Sequence, residues 1–128
     1  MCIEGPLTFF PLGFCSKRQG TVSHSTPEVE IVAADHVLRT MSIPSMDLWK
    51  VIGGESADSL DFHEDNAAMI RVMQTGRSPT MRHLGRVHAV GVKLLHERFQ
   101  DTQLTLCHTK SDAMRADVFT KGYTHKEK

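Results

Sequence analysis

The sequence lacks an excess of charge of either sign, because 15 Lys and Arg residues balance 15 Asp and Glu residues over 128 positions. The overall charge therefore indicates no partner, and any surface for nucleic acid must be local. No apolar run approaches the roughly 18 residues that a membrane-spanning helix needs. The first residues also lack the basic region that opens a secretory signal peptide. We therefore expect a cytoplasmic or nuclear protein that is neither secreted nor bound to a membrane.

Cysteine is scarce as well, with three residues at Cys2, Cys15 and Cys107 and no CxxC pair. This odd number and wide spacing exclude a disulfide-dense miniprotein and indicate reduced thiols. The eight histidines do not predict zinc. His83 and His88 are five positions apart, which does not align them on one helix face, and no cysteine pair completes a tetrahedral set.

Apolar periodicity predicts a single α/β domain in the order strand, helix, strand, helices, strand, helix. Strand pieces are expected at 7–10 and 12–15, separated by Pro11. A helix is expected from Thr26 to about Met41, ended by Pro44. Its buried face is predicted to carry residues spaced four apart, namely Val29, Ala33, Val37 and Met41.

Further elements follow from the same patterns. Strands are predicted at 60–63 and 104–107, and a second short helix at 46–52. A helix through residues 67–73 should close at Gly76, and residues 87–95 have helical spacing. Ser111 is predicted to cap a final helix that runs through Phe119. The buried core is expected to include Phe9, Phe10, Phe14 and the methionines Met41, Met46, Met69 and Met73.

Three carboxylates stand at informative places in this pattern. Glu30 lies near the start of the first long helix, Asp65 follows the middle strand, and Asp117 follows the last strand. Groups at the carboxyl ends of strands and on covering helices can converge in one crevice of an α/β sheet. Converging carboxylates repel one another unless hard cations neutralise them, which points to magnesium. The alternative is that these acids only cap helix starts.

The sequence also contains a local run of basic residues. Residues 71–98 contain six Arg or Lys residues and one acid, Glu97. The run could follow a nucleic-acid backbone or could be a solvated helix face. Both interpretations apply to His83 and His88, which could approach phosphate or lie at the solvated surface. The predicted nucleic-acid contacts are Lys17, Arg18, Arg71, Arg77, Arg82, Arg86, His83 and His88.

Five strings in the sequence carry a resemblance. They are SKRQ at 16–19, SHSTPEVE at 23–30, HEDNAAMI at 63–70, MRHLGRVH at 81–88 and ADVFTKG at 116–122. In this order they resemble the ribonuclease H region of a copia-type LTR retrotransposon polyprotein, with its SKRQ…STxEAE, xxDNxxAI and ADxxTKG pattern. The resemblance spans roughly residues 7 to 122, so residues 1–122 are expected to form one domain, with residues 123–128 as a frayed tail.

The resemblance implies a ribonuclease H-like fold with a mixed five-stranded sheet and flanking helices. It also implies metal-dependent hydrolysis of RNA in RNA–DNA hybrids, with Mg²⁺, or Mn²⁺ in its place, as cofactor. The family's catalytic and metal-binding residues fall on Glu30, Asp65 and Asp117. The implied partners are the hybrid and the reverse transcriptase region of the same polyprotein.

One departure from the family pattern concerns the amino-terminal end. The resemblance implies a first strand with a catalytic aspartate ahead of Gly5 and Pro6, and the 128 residues do not contain that strand. We therefore expect an amino-terminally truncated domain that cleaves hybrids weakly or not at all. Two alternatives remain: a non-catalytic nucleic-acid or protein-interaction module, and a decayed transposon fragment.

Overall fold

The computed structural model describes residues 1–53 and 59–116, which form a mixed α/β arrangement with two small sheets. The strands β1 (Cys2–Gly5) and β2 (Thr8–Pro11) pair antiparallel in one sheet. The strands β3 (Leu60–Glu64) and β4 (Leu104–His108) pair parallel in the other, with Leu60 opposite Leu104. The helices are α1 (Thr26–Val37), α2 (Ile43–Gly53), α3 (Ala67–Thr75), α4 (Leu84–Val87) and α5 (Val92–Phe99).

The mixed α/β class is confirmed, whereas the described residues do not form one five-stranded sheet. The predicted strands at 60–63 and 104–107 are confirmed with small extensions, and so is the helix closed by Gly76. Gly76 has a φ of 65°, a left-handed conformation that glycine adopts without the steric cost of a Cβ atom. Parallel pairing of β3 with β4 requires a crossover, which α3, α4 and α5 supply.

The prediction for the amino-terminal strands was wrong in its boundaries. Residues 2–5 form the first strand, residues 8–11 form the second, and residues 12–15 form none. Pro11 ends β2 and lies opposite Cys2 in the register. A proline is tolerated there because the last position of an edge strand needs no further N–H bond.

The expected core positions of three aromatic residues are also wrong. Phe9, Phe10 and Phe14 are 47%, 64% and 67% exposed. The reason is that, within residues 1–53 and 59–116, β1 and β2 pair with each other and with no further strand, and all four residues of β2 remain exposed. The guanidinium of Arg115 lies 4.1 Å from the centre of the Phe9 ring and 3.4 Å from Glu4 Oε1, which connects the hairpin to the segment after β4.

Pro44 does not end the first helical region, contrary to the prediction. A π-helical turn at Leu38–Ser42 joins α1 to α2, and Pro44 is the second residue of α2. The helical run passes Pro44 directly after the wider π turn, in which the Ile43 N–H bonds the Leu38 carbonyl oxygen, and such turns are where a helix accommodates an interrupted hydrogen-bond ladder. The chain is therefore helical from Thr26 to Gly53.

The buried face of α1 differs from the predicted one. Val29 and Ala33 are exposed, while Ile31, Ala34 and Leu38 are buried. Apolar residues occupy both faces of this helix, so their spacing alone could not identify the inner face. Further buried core residues come from α3, α4, α5, β4 and the segments beside α4. The core members are Ile31, Ala34, Leu38, Met69, Met73, Met81, Leu84, Val90, Leu95, Phe99 and Leu104.

The expected burial of Met69 and Met73 is confirmed, while Met41 and Met46 are half-buried. The helical spacing predicted over residues 87–95 is interrupted at Ala89, whose φ of 55° separates α4 from α5. The prediction that Ser111 caps a final helix was wrong over its described part: Ser111 begins a 3₁₀ turn (Ser111–Ala113) that ends at Met114, whose backbone is extended, and the Ser111 hydroxyl bonds Asp65 instead of a helix N–H. The end of the predicted helix lies outside the described residues. Within residues 1–53 and 59–116, no helix is both long enough and apolar enough to cross a membrane.

Candidate functional site

The carboxyl end of β3 leads directly into α3 through Glu64, Asp65 and Asn66. Asn66 Oδ1 accepts hydrogen bonds from the backbone N–H groups of Ala68 and Met69, both at 3.1 Å, and so caps α3. Glu64 Oε1 accepts a bond from the Asn66 N–H at 2.9 Å. These local bonds fix the backbone of the junction, so that Asp65 projects from the end of the strand as predicted.

Asp65 also contacts the segment that follows β4. Ser111 Oγ donates a hydrogen bond to Asp65 Oδ2 at 2.5 Å. Because β3 and β4 are parallel, their carboxyl ends lie at the same edge of the sheet, and this bond joins the two segments that leave that edge.

Glu64 is the acid of this junction that the sequence reasoning did not select. Its side chain is buried at 5% exposure. Burial raises the pKa of its carboxyl to about 7, the Asn66 N–H bond opposes that rise, and the charges of Glu30 and Asp65 increase it. The signal was present in the strand, because alternate residues share a face and Glu64 follows Leu60 and Phe62 at that spacing.

Glu30 lies half-buried near the start of α1, as predicted. The charges of Glu30 and Asp65 both raise the pKa of the Glu64 carboxyl. Two of the three predicted site acids, Glu30 and Asp65, thus act electrostatically on Glu64. The third, Asp117, lies outside the described residues.

The donor chemistry of this cluster, three carboxyl groups, is of the class that hard cations prefer. Over the part of the chain that the structure describes, however, no three His, Cys, Asp or Glu side chains are arranged to hold one metal ion. The described residues alone therefore do not complete a metal site.

The six predicted basic contacts are all exposed side chains, which leaves their charges available to solvent or to a ligand. Arg71 lies on α3, and Arg77 follows Gly76. Arg82 precedes α4, and Arg86 lies within it. Lys17 and Arg18 lie in the loop between β2 and α1. The basic residues are Lys17, Arg18, Arg71, Arg77, Arg82 and Arg86.

Two contacts hold the loop of Lys17 and Arg18 in place. Gln19 Nε2 donates a hydrogen bond to the carbonyl oxygen of Val29 at 3.0 Å, which ties the loop to α1. Thr21 Oγ1 lies 2.7 Å from His88 Nδ1, which ties it to the segment that carries Arg86. The two predicted basic regions are thus linked through one hydrogen bond.

The structure places His83 and His88 differently from the other predicted contacts. Both rings direct Nε2 to Oε1 of Glu28, at 3.1 Å for His83 and 2.9 Å for His88. The His88 side chain is 2% exposed, and that of His83 is 35% exposed. His88 therefore faces the protein interior, and Glu28 is a buried acid that the sequence reasoning did not select.

A cavity of about 320 Å³ lies at the other end of the parallel sheet. Its lining includes Met73, Phe99, Gln100 and Leu104, the residue that begins β4. It is therefore separate from the carboxylates at the carboxyl end of β3, and it holds none of the predicted site residues.

Comparisons of the chain with protein-family models, with curated proteins and with solved structures find no match in any of the three.

Proposed function

We propose that this chain is the ribonuclease H region of a copia-type LTR retrotransposon polyprotein. In this proposal it binds RNA–DNA hybrids and hydrolyses the RNA strand with Mg²⁺, or with Mn²⁺ in its place. The observation that carries the proposal is the position of Asp65 at the carboxyl end of β3, where it follows the buried Glu64 and accepts a hydrogen bond from Ser111 of the segment after β4. Carboxylates gathered at a strand end beside a helix start suit a hard cation.

The proposed metal ligands are Glu30, Asp65 and Asp117. A bound Mg²⁺ pair would supply an activated water and charge stabilisation for the leaving oxygen of the phosphodiester. The protein's own contribution is orientation: Ser111 holds Asp65, and the capped start of α3 holds the junction.

The exposed arginines support the substrate class. Phosphate contacts from Arg and Lys supply most of the affinity of proteins for nucleic-acid backbones. Arg82 and Arg86 belong to the same short segment, and its histidines are bonded to α1, the helix that carries Glu30. The proposed binding surface and the proposed cleavage site therefore share a helix. The proposed setting is the cytoplasm or nucleus, beside the reverse transcriptase region of the same polyprotein.

A second candidate function is hybrid binding without catalysis. It is favoured by the finding that the described acids and histidines do not complete a metal site. In that case the basic surface would bind the hybrid, while the carboxylates would serve only to hold the junction between β3 and α3.

Cleavage and binding of a labelled RNA–DNA hybrid distinguish these functions. The chain is incubated with the hybrid in Mg²⁺ or Mn²⁺, and Glu30→Gln, Asp65→Asn and Asp117→Asn are compared with Asp47→Asn, an exposed acid on α2. Slow metal-dependent cleavage that only the first three variants lose supports the ribonuclease. Binding without cleavage under both metals supports the second function, and the absence of hybrid binding contradicts both.

A further inference from the structure

The carboxylate of Glu28 is the most enclosed charged group among the described residues, at 1% exposure in the first turn of α1. Burial raises the pKa of this carboxyl, but hydrogen bonds from the His24 N–H, His83 and His88 outweigh that effect and hold the pKa below its usual value. The His24 N–H bonds Oε2 at 2.9 Å, while both imidazoles bond Oε1. Glu28 is therefore an acceptor for three donors.

Two of the three donors come from a distant part of the chain. His83 and His88 follow Glu28 by 55 and 60 positions, and His24 lies in the loop before α1. His88 uses its second ring nitrogen as well, because Nδ1 lies 2.7 Å from Thr21 Oγ1. The His83 ring meets the His24 ring edge-on, with 5.6 Å between centroids. One carboxylate thus joins α1, the preceding loop and residues 82–88.

Residues 82–88, here called the basic segment, need such outside support. Their helix α4 has only four residues, too few to be stable by its own hydrogen bonds. Leu84, at 1% exposure, anchors the apolar side of the segment in the core. Glu28 anchors its polar side through His83 and His88, and this leaves Arg82 and Arg86 exposed.

We infer that Glu28 is a positioning residue for hybrid binding: through His83 and His88 it holds Arg82 and Arg86 beside the start of α1, where Glu30 lies. This inference rests on the proposed function, because it assigns the phosphate contacts to the basic segment. Arginines that are fixed before the ligand arrives lose less conformational freedom on binding. The histidines contribute as links to Glu28, and phosphate is bound by the arginines.

The first test compares hybrid binding by Glu28→Gln and by Glu97→Gln over a series of salt concentrations. Both variants remove one negative charge, but the Glu97 side chain is 58% exposed, and its ion pair within the described residues is with Lys93, at 3.8 Å. Glu28→Gln leaves buried N–H groups facing an amide, so we expect roughly tenfold weaker binding. If both arginine contacts are lost, the slope of log affinity against log salt should fall by about 0.9 for each. Glu97→Gln should show neither effect.

The salt slope separates positioning from a general loss of stability. A variant that only unfolds more readily has fewer binding molecules, but those molecules keep the same phosphate contacts and the same slope. Weaker binding with an unchanged slope would therefore overturn the inference. If Glu28→Gln does not fold, His83→Gln is the alternative variant, because it removes one of the two links at a partly exposed ring. We expect it to weaken hybrid binding and lower the salt slope in the same way, but less.

The second test uses trypsin and needs no hybrid. In Glu28→Gln, cleavage after Arg82 and Arg86 should rise at least several-fold relative to cleavage after Arg39, which pairs with Asp35 on α1, away from this network. An equal rise at all three sites, or no rise, would overturn the inference. If the unsubstituted chain fails to bind the hybrid, the proposed function and the role assigned to Glu28 in binding both fall. A selective rise in trypsin cleavage after Arg82 and Arg86 would then still establish that Glu28 holds the basic segment in place.

Discussion

Ser111 Oγ donates a hydrogen bond to Asp65 Oδ2 at 2.5 Å, across 46 positions of sequence. A hydroxyl that bonds a carboxylate oxygen fixes the direction in which the other oxygen points. Asp65 is thereby held at the edge of the sheet by a residue whose sequence context, the start of a short turn after β4, carries no sign of that role.

Ser111→Ala should therefore impair the candidate site and leave the fold in place. Groups that orient metal-binding side chains typically change metal affinity or activity by about 10- to 100-fold when they are removed. We expect an effect near the lower figure on Mn²⁺ affinity, measured by titration calorimetry, because Ser111 is exposed and water can replace its hydroxyl. Ser16→Ala, at an exposed serine of the loop before α1, is the control. Equal Mn²⁺ affinities for both variants would contradict this role.

The raised pKa of Glu64, about 7, makes stability depend on pH in a defined direction. Between about pH 4.5 and about pH 7 the folded chain keeps a proton on Glu64 that the unfolded chain has released. The free energy of unfolding should therefore fall as pH rises through this window, by on the order of 2 kcal/mol from this group. Glu64→Gln should remove that fall and stabilise the chain at pH 8, as measured by urea unfolding at pH 5 and pH 8.

Glu97→Gln serves as the comparison, since this exposed acid should leave the pH dependence unchanged. Mg²⁺ adds a second arm to the experiment. A cation bound among the carboxylates would favour the charged form of Glu64, so millimolar Mg²⁺ should recover stability at pH 8 in the unsubstituted chain and much less in Glu64→Gln. Parallel pH profiles for the chain and for Glu64→Gln would refute the assignment.

Reversing charge in the basic segment tests its contact with phosphate. Arg82→Glu with Arg86→Glu should weaken hybrid binding and flatten its salt dependence, because each lost phosphate contact lowers the slope by about 0.9. Lys93→Glu with Arg98→Glu, at two exposed residues of α5, is the matched double charge reversal outside the segment. Fluorescence anisotropy at four salt concentrations gives both slopes, and equal slopes for the two variants would indicate a merely solvated surface.

Gly76 occupies a position where a side chain meets both backbone strain and a neighbour. Its φ is 65°, and an added Cβ would lie 2.7 Å from His96 Cδ2. Gly76→Ala should therefore destabilise the chain by about 1–2 kcal/mol, seen as a lower midpoint of thermal unfolding. Gly20→Ala is the control, because an added Cβ there meets no atom within 4 Å. Similar midpoints for the two variants would contradict the strain at residue 76.

The junction of β3 and α3 was predictable because its determinants are local. Asn66 caps the helix that begins one residue later, Gly76 closes it, and the alternation of residues 60–64 marks the strand. Asp65 between these signals could be placed at the end of a strand from sequence alone. The same alternation could have placed Glu64 on the inner face, had it been followed one residue further.

The features that could not be predicted from the sequence depend on contacts between distant segments. The local sequence around Glu28 does not predict its burial, because its partners His83 and His88 are 55 and 60 positions away. The inner face of α1 was mispredicted because apolar residues occupy both sides of the helix. The exposure of Phe9 and Phe10 follows from the separation of the two sheets, and strand pairing of this kind cannot be derived from the composition of one strand.

The parallel pairing of β3 with β4 also has a consequence for biosynthesis. Leu60 pairs with Leu104, so β3 leaves the ribosome 44 residues before the start of its partner. At roughly 5–20 residues per second, this delay lasts about 2 to 9 s. The β1–β2 hairpin, whose paired ends Gly5 and Thr8 are three positions apart, can close within microseconds of emerging. During each round of translation, the segment that leads into Asp65 is therefore exposed to wrong partners for far longer than the hairpin is.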